Sequence, residues 1–489
     1  MRVFIPENIE IEELLKKTPP KNNGKPKKDY LAYVMGVVSE EIFKRRNRLE
    51  VDEYVPIYSK LLKELIGSNY NKYLDYLRRT KILKRNKQYT EGKSRGYYFN
   101  KPYLKGFKPY TIKDRKLRLK LKTYFEKEER AAVRKLPYLH KWIKSGKLSI
   151  EKDLAQSVLP LKYNEKINAP KSSKSKMSKE EIANISMYCW QRSIDSFYNG
   201  IYVNRFTVDD GGGRLHTALT NISRSFRKYL KYDNQTLVHV DIANSQPYFA
   251  AVLLNPSFWE SSMLNSRQRQ RIRQKLNKRK KHPQPQNEPK AKKEGFEISP
   301  KLKSDIKYNK YYSLLMVLKS DESESQREFE RYKKYVSSGQ FYQKVADEFN
   351  NAVKPRKDAM REDVKKWMFE VFFSKNPPFL VESLERPQSK LFRQLFPAVS
   401  QIFKIIKKDK HNTLALLLQN LESQALLHCI CRLIARKHPK IPLFTIHDSV
   451  VTTVGNEGIV KEIMHQELER LTGLPPTLRI KIWDEHYDE

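Results

Sequence analysis

The chain lacks the marks of a secreted or membrane protein. Its first 25 residues hold no apolar run of signal-peptide length, and no stretch approaches the ~18 apolar residues of a bilayer-spanning helix. Cysteine is scarce: Cys189, Cys429 and Cys431 are the only three in 489 residues. They form no metal-ligand spacing and cannot build a disulfide framework. Cys429 and Cys431, set in an apolar segment, read as core. No internal repeat is present. These absences predict a cytoplasmic, non-secreted protein of a reducing compartment with no membrane partner. Acidic residues are short as well: 56 Asp and Glu against 96 Lys and Arg leave a net charge of +40. A surplus that large repels itself unless a polyanion is bound, and nucleic acid is the usual counterpart. Length is enough for several domains, and a hydrophobic content of 39% is enough for them to fold.

Residues 1–29 end in a Lys/Pro/Asn/Gly cluster and predict a basic flexible arm. Residues 30–109 predict a small nucleic-acid-binding unit. In it Tyr70, Leu74 and Leu77 fall at helical spacing, and two strand-like pieces flank a basic turn containing Lys93 and Arg95. Helix, helix, then basic hairpin resembles the winged-helix modules of replication and DNA-binding proteins, which would set Lys93 and Arg95 against nucleic acid. Without that resemblance the stretch is a basic helical subdomain with an exposed hairpin. Residues 110–200 read as helical, with a Lys/Ser-rich linker from Pro170 and a helix start at Ser178. Within 201–489 two β-rich runs stand out. One, Leu237 to Ile242, ends on Asp241. The other, Ile441 to Val454, reads as two strands meeting at a His447-Asp448-Ser449 tip. Residues 265–304, crowded with Lys, Arg, Gln and Pro, predict a disordered or nucleic-acid-ordered insertion.

Arg361, Lys365, Phe369 and Phe373 recur at every fourth position, along one stripe of a helix. Two cations followed by two rings suit a nucleotide, with charges on the triphosphate and rings against base and sugar. The plain alternative is an amphipathic helix with two core phenylalanines and two solvated cations. Three further segments accompany the stripe in order. They are Gly211-Gly-Gly-Arg214-Leu-His-Thr (followed by Arg224, Arg227 and Lys228), Val240-Asp241-Ile-Ala-Asn-Ser-Gln246, and Ile446-His447-Asp448-Ser449. Over residues 205–485 the set resembles the family A polymerases, which join bacterial DNA polymerase I-like enzymes with single-subunit phage RNA polymerases. Gly339-Gln-Phe-Tyr, Phe396-Pro-Ala-Val and Glu422-Ser-Gln-Ala-Leu also match family stretches.

The resemblance implies an α+β right-hand polymerase: a palm with an antiparallel sheet, helical fingers over 339–376 and a helical thumb over 110–200, behind the winged-helix-like unit. It implies two Mg²⁺ ions, or Mn²⁺, held by Asp241 and Asp448, with the Ile242 carbonyl beside them. Hard divalent ions prefer carboxylate oxygens, and two of them about 4 Å apart activate a 3′-hydroxyl and neutralise a triphosphate. Lys365 and Arg361 would hold the triphosphate and Phe369 the incoming nucleotide. Gln246 and Phe373 would shape the sugar pocket, while Arg214, Asn221 and His447 would meet the primer end. The implied partners are nucleoside triphosphates and a DNA primer-template or RNA, with the chain a monomer beside replication accessory proteins. The activity would be that of a DNA-directed DNA polymerase of a phage, plasmid or mobile element. No acidic cluster with a roomy domain points to a proofreading exonuclease.

Four residues depart from the family pattern, and three of them, Gln246, Phe373 and Ser449, touch the product. Gln246 stands where the family's DNA polymerases carry a Glu that screens out the 2′-hydroxyl. Phe373 replaces a Tyr, Glu370 a Gly, and Ser449 follows the second aspartate as in the phage RNA polymerases. A single-subunit RNA polymerase or primase-like enzyme is therefore the first alternative. A non-catalytic replication initiator is the second.

Overall fold

The computed structural model describes residues 1–19, 26–44, 54–86, 94–170, 178–199, 206–263, 296–306, 308–319, 323–353, 358–376 and 387–487. The molecule is helix-rich with antiparallel sheets, and its apolar residues gather in two cores.

The first core is N-terminal. Strands β1 (Arg2–Pro6), β2 (Val55–Pro56), β3 (Leu83–Arg85), β4 (Gly96–Phe99) and β5 (Phe107–Thr111) make two small sheets, β1 with β5 and a β2-β4-β3 ladder. Helices Lys28–Lys44, Ser59–Ile66 and Tyr70–Arg79 belong to the same body. Leu74 and Leu77 turn inward as their spacing predicts, and Asn71, Lys72, Asp75 and Arg79 stay outside the core. The expected arm is corrected here. Val3 and Ile5 are buried at alternate positions of β1, and Ile9 and Ile11 follow them into the core. A strand needs only a few alternating apolar residues once a partner is available, and β5 supplies it. The Lys/Pro/Asn/Gly cluster masks this, since it begins only after the helix Ile11–Lys17. Residues 20–25 and 87–93, the latter with Lys93, lie outside the described residues.

The second core fills the rest. Strands β6 (Leu148–Ile150), β9 (Leu230–Tyr232), β10 (Gln235–Ile242), β11 (Phe444–Ile446), β12 (Ser449–Thr453) and β13 (Leu478–Ile482) form its main sheet, while β7 (Thr207–Val208) and β8 (Leu215–His216) pair separately. The order is β11-β12-β10-β9-β6, with β13 on the other edge of β10. The β9–β10 hairpin turns at Asp233 and Asn234, both at positive φ, the two-residue turn that these side chains tolerate. Within β10, Val238, Val240 and Ile242 face the core, whereas His239 and Asp241 share the opposite, half-buried face.

Three sequence expectations change. Among the described residues of 110–200, the buried apolar side chains divide between the two cores: Leu117, Leu121, Ile185 and Cys189 join the first, Ala132, Leu136, Ile194 and Phe197 the second. The tail of the expected insertion is folded. Phe296, Ile298, Leu302 and Ile306 are buried, around a short helix Pro300–Asp305 whose first turn Ser299 caps. Of that insertion, 265–295 lies outside the described residues. Finally, Thr413–Lys437 forms one continuous helical run that is, by length and composition alone, apolar enough to cross a bilayer; most of it is buried within the protein.

Candidate functional site

Asp241 is the last polar residue of β10 before the core residue Ile242, and its Cα partner on β12 is Ser449. That register puts Asp448, at the β11–β12 tip, next to Asp241. The Ile242 amide donates to the Asp448 carbonyl at 3.4 Å and ties the tip to β10, while the Ile242 side chain is buried. The tip is a two-residue turn in which His447 holds φ 51. Positive φ at a first turn position usually falls to glycine, so His447 is strained, as residues at functional sites often are. Ser449 Oγ steadies the turn by donating to the Ile446 carbonyl at 2.8 Å.

Both carboxyls are pushed above their ordinary range. Burial is the largest cause for each. For Asp448 the nearby Asp241 and Glu422 charges add to it; for Asp241, Arg479 and Lys365 pull the other way. Among the described residues neither is in an ion pair. Two adjacent carboxylates with no cation between them are the donor chemistry that a hard divalent ion takes. Among the described residues no cluster of three His, Cys, Asp or Glu has metal-site geometry. An ion held here would draw its other ligands from backbone, water or phosphate.

The cation–aromatic stripe lies on the helix Arg361–Phe373. Val364, Met368, Val371 and Phe372 bury its opposite face. The stripe itself is open: Lys365 is exposed, and Phe369 is 50% exposed and stacked on Phe373, ring centres 5.6 Å apart. Phe369 is thus not a core residue, whereas Phe373 is half-buried and packs against the second core. Lys365 is close enough to Asp241 to favour its charged form, and Tyr342 feels both Arg361 and Asp448. The cationic half of the stripe therefore lies near the carboxylate pair. Arg361 is paired with its neighbour Glu362. The buried Lys407 anchors the helix's far end by donating to the Val371 and Ser374 carbonyls at 2.7 and 3.3 Å.

Arg214 follows a glycine turn built on one carboxylate. Asp209 accepts the backbone N–H of Gly211, Gly212, Gly213 and Arg214, and its Oδ2 lies 3.1 Å from His216 Nε2. Burial opposes that charge, but His216 and the turn amides hold the Asp209 carboxyl at about 2. A Cβ on Gly212 would sit 2.6 Å from Gln419 Cβ, so the turn can lie against the helix Thr413–Ser423 only as glycine. Arg214 Nη2 then reaches Glu422 at 2.8 Å. His447 is exposed to water, yet burial, with Arg214 and Arg227 beside it, pushes its imidazole down to about 4.

Not every expected residue converges. Asn221 is exposed, and its amide is turned back onto the Thr217 carbonyl at 2.9 Å. Arg95 directly precedes β4 in the N-terminal body. Conversely, several residues with no sequence-level role do converge. Arg479 pairs in register with Asp241, and Lys481 with His239. Arg224 and Lys481 lie over the ring of Tyr487, at 5.4 and 5.3 Å from its centre, and Arg227 donates to its hydroxyl. They make a basic strip on the Asp241 face of the sheet. The last is Glu422, 1% exposed, whose carboxylate accepts from Arg214, from Ser245 Oγ at 3.0 Å and from Gln246 Nε2 at 2.7 Å. Its sequence signal is a lone acid inside an apolar helix, which is rarely buried without a partner.

No protein-family model matches the chain, and no curated protein does. Among solved structures it resembles the Pol domain of Pol1 from M. smegmatis, in complex with DNA primer-template and dNTP, at 12% identity. The match spans 75% of this chain and 74% of that one, with a TM-score of 0.31, too loose an overlap to assign a role to any residue.

Proposed function

We propose that the chain is a template-directed nucleotidyltransferase, a DNA-directed DNA polymerase of the family A kind that extends a 3′-hydroxyl with nucleoside triphosphates. The observation that carries this reading is the proximity of Asp241 and Asp448, on their strand ends, to the cationic half of the Arg361–Lys365–Phe369–Phe373 stripe. Two magnesium ions, when bound by Asp241 and Asp448, would supply activation of the 3′-hydroxyl and neutralisation of the triphosphate. The protein's own groups do the rest. Lys365 and Arg361 bind the triphosphate, and the exposed face of Phe369 takes the base. Gln246 and Phe373 border the sugar, and Arg214 and His447, neutral at pH 7, border the primer end. The strip of Arg224, Arg227 and Lys481 continues from there and suits the phosphates of a nucleic-acid strand.

The N-terminal body fits a winged-helix module. Its order is helix, short strand, helix, helix, hairpin, with a three-stranded β2-β4-β3 sheet. The exposed side of Tyr70–Arg79 would then meet DNA.

A second reading, an RNA polymerase or primase-like enzyme, is favoured by one observation: the residue in the first turn of the helix after Asp241 is the neutral Gln246. Extension of one primer-template with dNTPs or NTPs, with and without Mg²⁺, separates the readings. Metal-dependent extension with dNTPs is expected. Extension with NTPs alone would replace the DNA polymerase reading with the second, and no extension with either would remove both.

A further inference from the structure

Glu422 is the most deeply placed acid of the site, and its two oxygens are divided between partners of different duty. Oε1 takes the Arg214 guanidinium at 2.8 Å; Oε2 takes the Gln246 amide at 2.7 Å and the Ser245 hydroxyl at 3.0 Å. Arg214 comes from the glycine turn, and Gln246 from the first turn of the helix Ser245–Val252 that follows Asp241. One carboxylate therefore joins the primer-side and sugar-side walls of the site. The helix that carries Glu422 leaves α-helical geometry directly after it, widening into a π-helical segment at Gln424–Ile430. Such segments recur where a helix must set a side chain out of register. Tyr138 donates to the Leu427 carbonyl there at 2.7 Å, outside the helix's own ladder.

The consequence falls on position 246. Its amide nitrogen is committed to Glu422, and Gln246 Oε1 is left buried without a partner. A glutamate at 246 would bring a second carboxylate to hydrogen-bond distance of the first, and two such charges cannot both ionise there. The acid of this corner is thus Glu422, and Gln246 is the neutral residue that pairs with it.

We propose that Glu422 is a positioning residue that fixes Arg214 and Gln246 together, and that by holding the neutral amide of Gln246 in place it sets the enzyme's choice of nucleotide sugar. This rests on the polymerase reading for the sugar, but not for the coupling.

Three variants test it: Gln246→Glu, Glu422→Gln, and both together, each measured for thermal unfolding and for kcat and KM with dNTPs and NTPs on one primer-template. Gln246→Glu alone is expected to be the worst, with KM raised for both sugars by about tenfold or more and a lowered Tm. Glu422→Gln alone frees Arg214 and is expected to lower kcat. The double variant restores a carboxylate–amide contact with its polarity reversed. It should recover most of the loss, a non-additivity that only touching residues show. It should also shift the NTP-to-dNTP ratio of kcat/KM by about tenfold, because the charge has moved to 246. Additive losses would overturn the coupling. Recovery with an unchanged sugar ratio would leave Glu422 a purely structural acid and overturn the assignment of sugar choice. Should the native protein extend no primer, the polymerase reading falls with the sugar role, and the unfolding cycle still decides the coupling.

Discussion

Asp29 in the N-terminal body and the Asp241–Asp448 pair in the second are carboxylates in contrasting settings. In the N-terminal body Asp29 is surrounded by donors: the Tyr110 hydroxyl at 2.8 Å and the backbone amides of Lys113 and Asp114. It ties the helix Lys28–Lys44 to the segment after β5, with donors on both of its oxygens. In the second body Asp241 and Asp448 face each other and Glu422, and burial makes their charges costlier still. A buried charge that is fully hydrogen-bonded builds a fold. One left beside its own kind is kept for a ligand that the fold alone does not require. Position inside a core does not distinguish structural from functional acids; what differs here is that Asp29 is hydrogen-bonded on both oxygens, whereas Asp241 and Asp448 lie beside each other.

The largest test of that contrast is Asp448→Asn or Asp241→Asn. Primer extension is expected to fall by at least about a thousandfold, the scale of losing a group that acts in the transition state. The unfolding midpoint without Mg²⁺ should hold or rise, because a like-charge repulsion is gone. A large fall in stability would mean these acids are structural after all. Next comes Lys365→Ala, with kcat/KM for the nucleotide down by about a hundredfold, equal to about 2.7 kcal/mol, and little change in Tm. The mirror experiment is Asp29→Asn. Urea unfolding should show a loss of about 2 kcal/mol from donors left unpaired, with extension per folded molecule untouched.

Two smaller effects sharpen the same contrast. Carboxyls raised above their ordinary value still carry protons at mildly acidic pH, and those protons must leave before a cation can enter. The Tm gain from Mg²⁺ should therefore be greater at pH 8 than at pH 5.5, and absent at both in Asp448→Asn. Without Mg²⁺ the sign reverses. Above about pH 4, the ordinary carboxyl value, the folded state holds more protons on these two groups than the unfolded one. They therefore make stability fall as pH rises through their raised values. Calorimetry with and without the metal reads both. Smallest of all, Arg224→Ala with Lys481→Ala should flatten the slope of log affinity for DNA against log salt by ~0.7–0.9 for each phosphate no longer neutralised. An unchanged slope would remove the basic strip from the nucleic-acid path.

Much of this is legible in one dimension. The +40 charge asks for a polyanion. Val-His-Val-Asp241-Ile and Ile-His447-Asp448-Ser declare strand ends bearing acids, because alternation and turn residues are local rules. The Arg361-to-Phe373 stripe follows from helical periodicity alone, though only the packing of Val364, Met368 and Phe372 shows that Phe369 faces outward. The first strand escapes a sequence reading because its partner, β5, lies about a hundred positions away, and pairing across that distance is invisible to local composition.

The sequence by itself determined which residues are acidic, basic or aromatic, and where strand and helix periods place them along each element. The tertiary structure alone decided which of them meet. It brought Glu422 between Arg214 and Gln246, left Asn221 turned away, and set Arg479 beside Asp241. The physical reason is that a charge acts through space over a few ångströms, and only folding makes residues far apart in the chain into neighbours at that range.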